Sequence, residues 1–145
     1  MVLEFGHGLF GTRDQSYNAT MLAMMANAYD WIYYATDWYG MCAFDVLVVA
    51  RTLINDISTF AILPESVNQG WASRVVGLKL LMNQVSQDEV LKMNGVSFIS
   101  SNTPRQYYGV SQGGIVGGGF GVYHPEITRF ALSVPGAPFA LLLGR

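Results

Sequence analysis

The chain has 145 residues, enough for one domain around a single buried core. A formal net charge of −2 and only 8 scattered Lys and Arg leave no basic face for nucleic acid. Charged residues make up 12%, about half the ~25% usual for soluble domains, so some apolar surface is expected to meet another chain.

The longest apolar runs, such as Val46–Ala50 and Phe139–Leu143, fall well short of the ~20 residues a spanning helix needs. "MVLEFGHGLFG" also lacks the basic start and long apolar middle of a signal peptide, and the localisation stays open. The single Cys42 excludes an internal disulfide, and with only two histidines present no metal site is expected.

"MVLEF" predicts a short strand stopping at Gly6-His7-Gly8. Residues Asp14 to Asp30 carry Met, Leu and Ala at helical spacing behind a capping-type start, which predicts one helix buried on one face, with Met21, Met24 and Met25 as core filler. "WIYYATDW", Trp31 to Trp38, is aromatic and free of Gly and Pro, as in a central strand. Tyr33, Tyr34, Trp38 and Tyr39 are read as strand packing, the last two also as a possible wall for an acyl group.

Met41 to about Asp56 returns to helical spacing, with Phe44, Val48 and Leu53 inward and Asp45 and Arg51 outward. Glu65 to about Gln84 repeats the pattern with Val67, Trp71, Val75, Leu78 and Met82, and Pro64 stands where a first-turn proline is tolerated. "SQDEVLKMNG" reads as a short solvated helical turn ending at Asn94-Gly95. Gln106 to Val110 is a strand, Gln112 opens a Gly-rich helix, and Arg129 to Gly136 is a last strand. The alternation predicts a single α/β domain over 1–145, with a mainly parallel sheet flanked by helices.

Two glycine-rich turns carry the chemistry. "YYGVSQGG" sets Ser111 inside Gly-x-Ser-x-Gly at a strand-to-helix junction, where only small residues fit and the hydroxyl is lifted clear of the sheet. The following helix aims its N-terminal amides at a developing negative charge. "GHGLFG", Gly6 to Gly11, follows a strand about a hundred residues upstream, where an oxyanion-hole loop would lie.

Together with "TDWYGM" and "HPEITRFALSVPGAP", these stretches resemble the α/β-hydrolase fold, and more narrowly a central segment of large bacterial lipase- or esterase-like proteins that are secreted or envelope-associated. The resemblance spans nearly the whole chain. It implies Ser111 as nucleophile, the N–H groups of Gln112 and Leu9 as oxyanion donors, and His7 and Gly8 as shapers of that loop. It also implies a minimal hydrolase core truncated at both ends, because the acid and the general-base histidine of the family follow later strands and only 34 residues come after Ser111.

Two histidines remain as bases. His124 lies 13 residues beyond Ser111, roughly 20 Å along a helix, so it could serve only in trans, from a neighbouring chain that could equally bring Asp14. His7 is nearer, and Asp37 at the end of the next strand could orient it. The structural alternatives are a His7 that pins the loop, an Asp37 that caps a helix and a His124 that closes one. The expectation is a serine esterase cleaving short-chain carboxylic esters through an acyl-serine, with no cofactor, no membrane span and assembly as a homo-oligomer. The alternative is a catalytically impaired fragment kept as a binding or assembly module.

Overall fold

The computed structural model describes residues 1–136, so the apolar run Phe139–Leu143 lies outside the described residues. β1 (Val2–Gly6) is buried along its whole length. α1 (Gln15–Asn18) and α2 (Thr20–Tyr29) replace the single helix expected there, because Ala19 between them has extended backbone (ψ 105°). Asp30 closes α2 in the left-handed region, its N–H on Ala26 O. β2 (Ile32–Ala35) follows, then α3 (Val46–Ile54) and α4 (Ile62–Asn83). α4 starts before the expected Glu65 and takes Pro64 into its first turn, where a missing N–H breaks no helical bond.

The expected helical turn ending at Asn94-Gly95 is instead two 3₁₀ turns and a small hairpin, β3 (Lys92–Met93) and β4 (Val96–Ser97). Asn94 and Gly95 both have positive φ (54° and 76°), the pattern of a two-residue type I′ turn. β5 (Arg105–Val110), α5 (Gln112–Tyr123) and β6 (Phe130–Ser133) complete the described chain.

The sheet is wholly parallel, in the order β2-β1-β5-β6. Gly6 pairs with Gly109, which brings the C-terminal ends of β1 and β5 side by side. β2, expected to be central, is an edge strand among the described ones. On one face Val2, Trp38, Leu78, Tyr107 and Phe120 form the core beneath α4 and α5. The other face meets α2 across an open trough of about 470 Å³ lined by Leu3, Tyr33 and Tyr108 of the strands and by Met21 and Met25. Met21 and Met24 are exposed rather than core filler, and Leu22 is the buried residue of α2.

Strand order reverses between β1 and β5, so α2 leaves β1 toward one face and α5 leaves β5 toward the other. The crevice between the two departing loops is where open α/β sheets bind ligands. Under it the core is not all apolar. The α4 stripe that buries Leu78 and Met82 also buries Arg74, whose Nε donates to Glu4 Oε1 at 2.7 Å, and both side chains are 0% exposed. Burial pushes the Glu4 pKa up, against the opposing charge of Arg74.

Candidate functional site

β5 ends at Val110 and α5 begins at Gln112, so the whole reversal falls on Ser111. Its backbone (φ 54°, ψ −114°) lies where a residue with a Cβ is strained by about 1–3 kcal/mol. Its N–H is held by Ser133 O and the Gly113 N–H by His7 O, each at 3.0 Å, so both flanks of the bend are anchored. The close approach needs glycine: a Cβ on Gly109 would strike Gly113 O, and one on Gly113 would strike Gly6 O. Ser111 itself is exposed.

The loop after β1 lies against this bend, since a Cβ placed on Gly8 would stand 3.7 Å from that of Ser111. His7 is fully buried and uses both ring nitrogens. Nδ1–H donates to Gly8 O at 2.7 Å, and Nε2 accepts the Trp38 N–H at 2.8 Å. The imidazole is therefore neutral with its proton on Nδ1. Burial pushes its pKa below the usual 6.5; the Gly8 bond opposes that shift and the Arg74 cation adds to it.

Gly8 O and the Leu9 N–H belong to one peptide plane and point opposite ways. Gly8 O is fixed by His7 Nδ1–H and also accepts the Gly11 N–H, so the Leu9 N–H is turned away from these partners. Among the described residues no acceptor takes the N–H of Leu9 or of Gln112. The Gln112 side-chain amide is buried with no partner there either.

The three candidates for proton transfer are engaged elsewhere. The expectation that His7 acts as base does not fit, because its one lone pair is spent on Trp38. The expected Asp37–His7 pair is not formed either: Asp37 Oδ1 accepts the Arg13 N–H at 2.6 Å and Oδ2 the Arg13 guanidinium at 2.9 Å, which ties the two loops together. His124 closes α5, its Nδ1 accepting the N–H groups of Glu126 (3.1 Å) and Ile127 (2.9 Å). It is buried with its ring 4.9 Å from that of Phe120, so it is not presented to a neighbouring chain as the role in trans requires. Trp38 is buried in the core rather than lining an acyl pocket, while Tyr39 is exposed.

Sequence patterns miss the buried polar residues below the loop, Glu4 and Arg74. Their signal is one charge inside a five-residue apolar strand and one inside an apolar helical stripe, each the complement of the other. Among the described residues no three His, Cys, Asp or Glu side chains converge to hold a metal ion, and no helix is long and apolar enough to cross a membrane.

Comparison with known proteins finds no matching family model, no matching curated protein and no matching solved structure.

Proposed function

We propose that this chain is a serine hydrolase of the α/β-hydrolase type that attacks carboxylic esters. The observation that carries the reading is the strained, exposed Ser111 at a one-residue strand-to-helix bend, flanked by the N–H groups of Leu9 and Gln112, which no acceptor takes among the described residues. The neighbouring β1 and β5, with the glycine loop following the first and the serine following the second, support the same reading.

In this mechanism Ser111 Oγ adds to the ester carbonyl and its proton passes to solvent. The two amides hold the tetrahedral oxyanion, and collapse expels the alkoxide to leave an acyl-serine that water hydrolyses. The engagement of His7, Asp37 and His124 leaves the proton without a side-chain acceptor, so esters with good leaving groups are the substrates that react. A serine in an oxyanion hole without its triad partners keeps ~10³–10⁴-fold catalysis over water.

That same engagement favours a second reading, a catalytically impaired hydrolase fragment serving as a binding or assembly module. A fluorophosphonate probe separates the two. Labelling confined to Ser111 by mass spectrometry, and absent in Ser111→Ala, is the expected result. A folded wild-type protein whose Ser111 is accessible and stays unlabelled would leave the module reading in its place.

A further inference from the structure

Beneath the Gly8–Leu9 loop lies a feature that ester attack does not use directly, a guanidinium closed off from solvent. Arg74 donates through Nε to Glu4 Oε1 (2.7 Å), through one terminal nitrogen to Thr36 O (2.8 Å) and through the other to Phe5 O (2.6 Å). Its Cζ stands 4.1 Å from the centre of the Trp38 ring. Phe5 precedes His7 by two residues and Thr36 precedes Trp38 by two. His7 and Trp38 are the partners whose bond sets the loop.

One rigid planar fork thus fixes the spacing between the C-terminal ends of β1 and β2, and with it the reach of the Trp38 N–H to His7 Nε2. An ammonium on a flexible stem cannot hold three acceptors in that plane. Stability alone is a weak reason for such a pair, since apolar residues of like volume often hold a fold equally well. Resting on the oxyanion reading of Leu9, the geometry points to Arg74, held by Glu4, as a positioning residue. It aligns the Gly8–Leu9 peptide through Trp38 and His7 and touches no substrate.

The test uses the full chain. In the wild type, nitrogen-resolved NMR is expected to show the two terminal Arg74 nitrogens as separate, slowly exchanging signals, as two fixed carbonyl bonds require. One averaged, fast-exchanging signal overturns the proposal without any variant. Arg74→Lys is expected to move the His7 ring-nitrogen and Leu9 amide signals and to lower kcat for p-nitrophenyl acetate about 10- to 100-fold, with KM within about twofold, because a misplaced donor costs rate more than affinity.

The apolar pair E4L/R74M is expected to show the same loss at a thermal midpoint close to that of the wild type. Either variant, if folded, with wild-type kcat and unmoved His7 and Leu9 signals overturns the proposal. Should the wild type neither turn over ester nor accept the probe at Ser111, the ester reading fails alone. The His7 and Leu9 signals of the variants then still decide whether Arg74 positions the peptide.

Discussion

Ser111 stands in a backbone conformation that suits glycine, yet it carries a Cβ and is exposed. Relief of that strain is worth about 1–3 kcal/mol, against about 0.4–1 kcal/mol of extra chain entropy that a glycine loses on folding. Ser111→Gly is therefore expected to unfold in urea at a concentration equal to or above that of the wild type while losing all reaction with fluorophosphonate. A midpoint clearly below the wild type would show that the bend stores no strain. His7 illustrates the opposite economy at the same scale. Both nitrogens of a residue read as a base are consumed by backbone groups, one of them contributed from 31 residues away at Trp38. No local pattern around "GHGLFG" announces that partner.

At the scale of elements, the strands and the helix that bear the site are legible because glycine turns mark where β1 and β5 end. Others are not. The spacing from Met41 to about Asp56 predicts Phe44, Val48 and Leu53 inward, but α3 spans only Val46–Ile54 and buries Val49 and Thr52, and Phe44 ahead of it is 77% exposed. Val49 lies opposite Arg51, the one charged residue of the helix, whereas Val48 and Leu53 stand to either side of Val49. "WIYYATDW" reads as central because aromatic and β-branched residues suit a pleated surface, and that preference does not count neighbouring strands. The hairpin at Asn94-Gly95 has two-residue arms, too short for an alternating run. Gly95 has φ 76°, and a Cβ added there would meet nothing within 4 Å, so the cost of a side chain is conformational alone. Gly95→Ala is expected to lower stability by about 1–2 kcal/mol in urea unfolding, with ester reactivity unchanged.

For the whole molecule, the parallel α/β architecture and the side-by-side β1 and β5 follow from alternation and from the two glycine turns, whereas the buried pair at the centre depends on packing between residues 70 positions apart. Both histidines are held neutral by burial, their pKa values below the usual 6.5. The unfolded chain binds protons there that the native state refuses, so their contribution is full above about pH 6.5 and is lost as pH falls toward the lowered native values. Glu4, raised by burial above its usual 4.5, works in the opposite sense and offsets part of the loss at the acid end. The thermal midpoint is expected to be lower at pH 5.5 than at pH 7.5, and equal midpoints would contradict the neutral assignment.

Leu47 and Ile54 of α3 are more than 80% exposed, and β2 and β6 are open edges among the described strands. Self-association at micromolar concentration is the expected result in light scattering, and a stable monomer would contradict it.

The amide of the serine hangs from the last carbonyl of β6, which among the described strands is a border gripped from one side by β5. Borders fray before interiors. Gentle warming should accordingly blunt the hydroxyl's reactivity while circular dichroism still reports an intact sheet, making chemical competence the first casualty of heat and the hinge of the molecule its outermost seam.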